Sequence, residues 1–117
     1  MRKKHVPDHA AIAEAARALR QSAIEYDVPR GVPLTVVSSA VERRGDDTWM
    51  ALQTDRGRVA VLVEGSNAPL QDAGQAHLDQ LTTACGIGAI NDSLDLHGKS
   101  FMIARDTFAA LPEEQAA

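Results

Sequence analysis

A chain of 117 residues with a net charge of -4 is the length of one domain, and its acidic balance excludes a histone-like or polybasic protein. Apolar residues make up 44% of it but aromatic ones only 3%, so the core must be thin and aliphatic. A single cysteine, Cys85, excludes an intramolecular disulfide and suits a reducing compartment.

The charge is unevenly spread. Residues 1–58 carry ten Lys/Arg and eight Asp/Glu, whereas residues 59–117 carry two and eight. Such asymmetry marks candidate partner surfaces, basic in the first half and acidic in the second. The start, Met1-Arg2-Lys3-Lys4, is followed by no apolar run, so no signal peptide is expected. No stretch approaches the roughly 20 apolar residues that span a bilayer. The expectation is a cytoplasmic protein with no membrane association.

Residues 1–7 read as a basic arm, and Asp8 as a cap for a helix over 9–25. Ile12, Ala16, Leu19, Ala23 and Tyr26 share one face at helical spacing. Pro29, Gly31 and Pro33 end that segment. Three strand-like stretches follow at 34–42, 48–54 and 58–64, separated by the polar turns 43–47 and Asp55-Arg56-Gly57. In the middle stretch Met50 and Leu52 face one way, Trp49, Ala51 and Gln53 the other. Short turns between successive strands predict an antiparallel meander.

Gly65 ends the meander. Ser66 or Asn67 can cap a helix with Pro69 in its first turn, and Gly86 can stop it. Leu70, Gly74, His77, Leu78, Leu81, Ala84 and Cys85 form one face of that helix. Leu94 and Leu96 alternate before a turn at His97-Gly98-Lys99, residues 100–104 read as a strand, and a short helical piece is expected after Asp106. Pro112 onward is expected to fray. The fold class is therefore α+β, a single domain over 1–117 with its core at 34–105.

Three antiparallel strands, a helix and further strand is the order of an OB-fold barrel. Residues 78–103, LDQLTTACGIGAINDSLDLHGKSFMI, carry a sharper likeness. Their leucine-rich helix ending in a Cys-Gly-Ile step, the Asp of the following loop, and the Leu, Gly-Lys and strand beyond it correspond to Leu81, Cys85, Gly86, Ile87, Asp92, Leu96, Gly98 and Lys99. This segment resembles a family of phage and prophage proteins associated with recombination functions and with binding single-stranded DNA. The resemblance implies an OB-like barrel that is non-enzymatic and takes no cofactor. It departs at both ends: the first helix is additional, and the chain stops where a further strand is expected. A missing strand would open the barrel edge, to be closed by the tail, the first helix or a second subunit. The motif residues themselves read as helix stop, tight turn and core leucine.

Binding a single strand needs cations for phosphates and flat side chains for bases. The candidates are Arg43 and Arg44 in the first turn, Arg56 and Arg58 around the second, Lys99 and Arg105 beside the last strand, and Trp49 as a stacking platform. The two turns lie at opposite ends of the middle strand, so their arginines are expected to bracket a groove across the sheet. Catalytic and metal motifs are lacking. Asp46-Asp47 and Asp92-Asp95 read as turn residues, and the four histidines lack zinc spacing with Cys85. His77 with Cys85 reads as a helix-face histidine beside a buried thiol rather than a nucleophile pair. Gly86-Ile87-Gly88 follows a helix, not the strand of a dinucleotide site, and Gly98-Lys99-Ser100 lacks the earlier glycine of a phosphate loop. The expected partner is single-stranded nucleic acid. The alternative is a protein partner bound through the acidic surface by a small interaction or inhibitor protein of phage type, as a homodimer through an open sheet edge or the first helix.

Overall fold

The computed structural model describes residues 9–90 and 92–112, with side chains from Glu14 onward. The basic arm at 1–7, the cap at Asp8, the side chain of Ile12 and the tail after Pro112 fall outside the described residues. Helix α1 (His9–Ser22) ends three residues earlier than its composition predicts. Ser22 Oγ donates back to the Ala18 carbonyl, the chain turns at Ala23, and Ile24–Tyr26 becomes strand β1. The cause is tertiary. Ile24, Glu25 and Tyr26 find antiparallel partners in Val61, Ala60 and Val59, and a β-branched residue such as Ile24 loses little by leaving a helix. Ala23 and Tyr26 therefore drop out of the expected apolar stripe. Ala16 and Leu19, which remain on it, are exposed.

The meander forms as expected from β2 (Leu34–Arg44), β3 (Asp47–Thr54) and β4 (Gly57–Glu64). The longest strand, β2, is shared between two neighbours. From Val36 onward it pairs with β3, while Leu34 and Thr35 pair on the other side with β5 (Ser100–Ala104). A bulge between Val36 and Ser38 interrupts the ladder with β3 just past the residues paired to β5, as expected where a strand bends from one part of a sheet into another.

Helix α2 (Ala68–Cys85) matches its sequence signals closely. Asn67 Oδ1 accepts from the Leu70 N–H, Pro69 sits in the first turn, and Gly86 takes φ 70° to let the Ile87 N–H reach the Thr82 carbonyl. The next segment differs from its reading. Leu94 and Leu96 lie in a single 3₁₀ turn (Ser93–Leu96), capped by Asp92 and by the Asp95 carboxylate, which accepts from the Asp92 N–H. Leu96 is buried in the core and Leu94 is exposed. Gly98, at φ 81°, then turns the chain so that its N–H donates to the Val36 carbonyl.

The expected helix after Asp106 is instead strand β6 (Thr107–Ala109), which forms a hairpin with β5. Arg105 adopts φ 56° in the intervening turn, and Thr107 and Phe108 favour strand over helix. The strand order is β1-β4-β3-β2-β5-β6, antiparallel throughout, and the sheet is not closed into a barrel. Arg30 links β1 to the β5–β6 turn. Its guanidinium donates to the Tyr26 hydroxyl at 2.8 Å and lies 3.5 Å from the Asp106 carboxylate.

Apolar side chains of the inner face, among them Leu34, Val36, Leu52, Val59, Val61, Phe101, Ile103 and Phe108, form the main core with Leu81 and Leu96. A smaller cluster joins Trp49, Ala60 and Leu62 to Ala23 and to Ala73 of α2. Two residues seat α2. Gly74 lies against β4 so closely that a Cβ there would stand 2.5 Å from the Leu62 carbonyl oxygen. His77 is buried between three elements, with Nε2 2.7 Å from the Arg20 carbonyl of α1 and Nδ1 2.8 Å from Thr107 Oγ1 of β6. The carbonyl can only accept, so Nε2 carries the proton and Nδ1 accepts from the Thr107 hydroxyl. Burial holds the imidazole below its usual pKa, against the pull of the Arg20 carbonyl.

Gly74→Ala is expected to destabilise the protein by up to about 2 kcal/mol in urea unfolding. Alanine favours a helix by about 1 kcal/mol, but overpacking against a backbone oxygen costs about 1–3. A second expectation concerns pH. The unfolded chain protonates His77 near pH 6.5, while the folded chain resists protonation to lower pH. Stability therefore falls as pH drops from about 6.5 toward the folded pKa. Urea midpoints measured from pH 7.5 to 5.5 should show this fall, and His77→Phe should flatten it while lowering stability at pH 7.5 by about 1–3 kcal/mol.

Candidate functional site

Cross-strand register fixes the composition of the outer sheet face, because residues directly opposite one another share a face. Trp49 lies between Glu42 of β2 and Leu62 of β4; Ala51 lies between Ala40 and Ala60; Gln53 lies opposite Arg58. Glu25 of β1 lies opposite Ala60. The face is thus a shallow floor of alanine, Leu62 and indole, packed in part against Ala23 and Ala73, with charged side chains at its margins.

Those charged side chains fold over the floor. The Arg44 guanidinium stacks 4.4 Å above the Trp49 ring and pairs with two carboxylates, Glu25 at 2.8 Å and Glu42 at 2.9 Å. Arg58 pairs with the other oxygen of Glu42. Glu42 is the hub of this network, and the hydrogen bonds from Arg58 and Arg44 hold its carboxyl below the usual range. Trp49 is left 6% exposed. All four charged partners keep about a third or more of their side chains in solvent, where ion pairs are individually weak.

The seven candidate residues do not form one patch. Arg44, Arg58 and Trp49 come together. Arg43 is exposed at the β2–β3 turn, and Arg56 is exposed at the β3–β4 turn. The latter turn is tied to the other end of β2 through Asp55, whose N–H donates to the Thr35 carbonyl. Lys99 is exposed near that same end, its carbonyl accepting from the Val36 N–H. The two ends of the 11-residue β2 are roughly 33 Å apart at the rise of a strand. Arg105 is exposed at the β5–β6 turn. Sequence reasoning missed Glu42 and Glu25. Strand alternation from Arg44 could have placed Glu42 on the same face. Glu25, two strands away and inside an expected helix, gave no local signal.

A second feature was also missed, a groove of about 610 Å³ on the inner side. Val41, Met50 and Val63 from the meander and Leu78 from α2 form its apolar part. Gln75, Asp79 and Thr82 of α2, Thr48 of β3, and Asp92 and Ser93 beside the 3₁₀ turn supply polar groups. At its margin Ser39 Oγ donates to Ser93 Oγ at 3.0 Å and lies 2.8 Å from His97 Nε2. Since the Ser39 proton goes to Ser93, His97 is the donor to Ser39, and the trio fastens the 3₁₀ turn to β2.

Burial pushes the Cys85 thiol up to about 11, so it carries its proton at neutral pH, and both ring nitrogens of His77 are engaged elsewhere. Among the described residues, no group of three His, Cys, Asp or Glu is placed to hold a metal ion, and no helix is long and apolar enough to cross a membrane. Neither a family model nor a curated protein nor a solved structure matches the chain.

Removing the guanidinium should uncover the indole. Arg44→Ala is expected to red-shift the emission of Trp49, the only tryptophan, and to raise its iodide quenching, whereas Arg43→Ala should leave both near wild type.

Proposed function

We propose that this chain is a non-enzymatic module of OB-like architecture that binds single-stranded nucleic acid across the outer face of the β2–β3–β4 meander. The observation that carries the reading is the Arg44–Trp49 stack with Arg58 beside it, held by carboxylates in solvent-accessible ion pairs. Support for the architecture comes from the order of elements: a long bulged strand shared between β3 and β5, a meander, a helix, then a hairpin. The resemblance of residues 78–103 to the phage and prophage family points the same way.

The chemistry is an exchange of anions. A phosphate that takes the place of Glu42 on Arg44 and Arg58 gains two charge-assisted contacts. It displaces pairs that are individually weak, and the freed carboxylate is rehydrated. Movement of Arg44 toward the phosphate would open the Trp49 face to a base, for which stacking is worth about 1–3 kcal/mol. Arg56 stands at the β3–β4 end of the meander to follow the backbone of the strand, whereas Arg43, opposite Thr48, belongs to the other face. Glu42 sets the threshold, weakening binding at low occupancy and favouring ligands dense in phosphate.

The test is a titration of fluorescent oligo(dT) and a duplex control at two salt concentrations, following anisotropy and Trp49 emission. Salt-sensitive binding of the single strand with a change in Trp49 emission is expected. Arg44→Ala with Arg58→Ala should weaken it at least tenfold and reduce the slope of log K against log salt by roughly 1.4, for two lost phosphate contacts. Glu42→Gln should tighten binding. No binding at low salt, or unchanged affinity and slope in the double variant, would sink the proposal.

A further inference from the structure

The groove on the inner side is chemically unlike the outer face. Its apolar residues come from five segments, Ile90 of the loop after α2 included, and Val41 stands in it 66% exposed. A large apolar side chain left in solvent within a concave site is the signature of a surface that is covered in use. Val37 of β2 and Leu94 of the 3₁₀ turn are also exposed, at 57% and 63%, and the Ser39–Ser93 hydrogen bond holds these two segments together. The groove's volume lies within the range of ligand sites, about 300–1,000 Å³.

Charge narrows the occupant. The charged residues lining the groove are Asp79 and Asp92, both exposed, and no lysine or arginine lines it. Asp92 already accepts from the Leu94 N–H through one oxygen, and Asp79 accepts from Gln75 at 3.0 Å. Each carboxylate keeps acceptor capacity, since an ionised carboxylate offers about four lone-pair sites. Phosphate is thus the wrong ligand here, and a cation with apolar flanks is the right one.

The backbone narrows it further. On the side away from β3, β2 pairs with β5 only at Leu34 and Thr35, with Val36 bonded to Gly98 and Lys99 just beyond. Toward Arg44 that side of β2 has no strand partner among the described residues. An unpaired strand edge beside an apolar groove is what extended peptides recognise, main-chain hydrogen bonds giving affinity and alternate side chains giving specificity.

We propose that the groove between β2, β3, β4 and α2 docks an extended segment of a partner protein in which apolar residues alternate with lysine or arginine. The apolar side chains contact Val41, Met50, Val63 and Leu78, and the cations meet Asp79 and Asp92. The same chain would then hold nucleic acid on one face of its meander and a basic–apolar protein segment on the other.

The experiment uses the full chain and three labelled twelve-residue peptides, alternating Leu/Lys, Leu/Glu and Ser/Lys, with anisotropy read at two salt concentrations and the oligomeric state followed by sedimentation. The Leu/Lys peptide is expected to bind at least tenfold more tightly than either control. Val41→Lys and Asp79→Lys are surface changes that should leave the circular dichroism spectrum intact, and each should weaken that binding at least tenfold. Equal binding of Ser/Lys and Leu/Lys would reduce the effect to bulk charge and overturn the proposal. So would folded variants that bind as wild type, or no binding of Leu/Lys at low salt. Self-association abolished by Val41→Lys would assign the groove to a second copy and overturn it as well.

Discussion

The seat of α2 on the open sheet is the constraint on which this structure depends. The sheet's outermost strands, β1 and β6, do not pair with each other, so the core between them must be closed by something other than a strand. Helix α2 does this, and it can do so only at very short range. Gly74 brings its backbone against Leu62 of β4, and His77 is bonded to α1 on one nitrogen and β6 on the other. An apolar side chain in place of His77 could fill the space but not satisfy the Arg20 carbonyl and the Thr107 hydroxyl, and leaving a buried polar group unpaired costs about 1–3 kcal/mol. Arg30 adds a polar tie between Tyr26 and Asp106 on the solvent side. The open sheet is thus bridged by a helix and an arginine.

Closing the core this way leaves the two faces of the meander with different chemistry. The outer face has a floor of alanine, Leu62 and one indole that Ala23 and Ala73 cover only in part, and long charged side chains lie across the Trp49 end. Arginine suits this role because its planar guanidinium can stack on Trp49 while bonding two carboxylates at once. The inner face is filled near the hairpin of β5 and β6 but runs past the core toward the β2–β3 turn. Val41 stands exposed on that overhang, opposite the buried Met50 in register. Cross-strand alternation therefore places Glu42, Arg44 and Arg58 on one side and Val41 and Met50 on the other, where Asp79 of α2 adds a carboxylate.

Much of the local structure was legible in the chain. The meander followed from β-branched runs broken by Arg-Gly-Asp-Asp and Asp-Arg-Gly, and α2 from Asn67, Pro69 and Gly86, because strand pleat, helix caps and left-handed turns are decided within a few residues. The errors cluster where a distant partner outweighed the local preference. Ile24–Tyr26 left the helix for the free edge of β4, and Thr107–Ala109 became a strand because β5 offered a hairpin partner. Leu94 and Leu96 share a 3₁₀ turn because Asp92 and Asp95 cap it. Trp49, Arg44 and Arg58 stand out in the chain as residue types, but their pairing with Glu25 and Glu42 lies beyond sequence distance.

By itself, then, the sequence determined a small α+β chain with a thin aliphatic core, a three-stranded meander, one well-capped helix and a charge divided between its halves. These depend on composition, periodicity of two or 3.6, and turn chemistry, all of which act locally. Only the tertiary structure decided that β2 is shared through a bulge, that the sheet stays open under α2, that Arg44 and Arg58 converge on one glutamate, and that Val41 stands in an acid-rimmed groove. Each of these depends on residues brought together across tens of positions. The free energy that joins them comes from burial and pairing in the folded chain, which no short window of sequence contains.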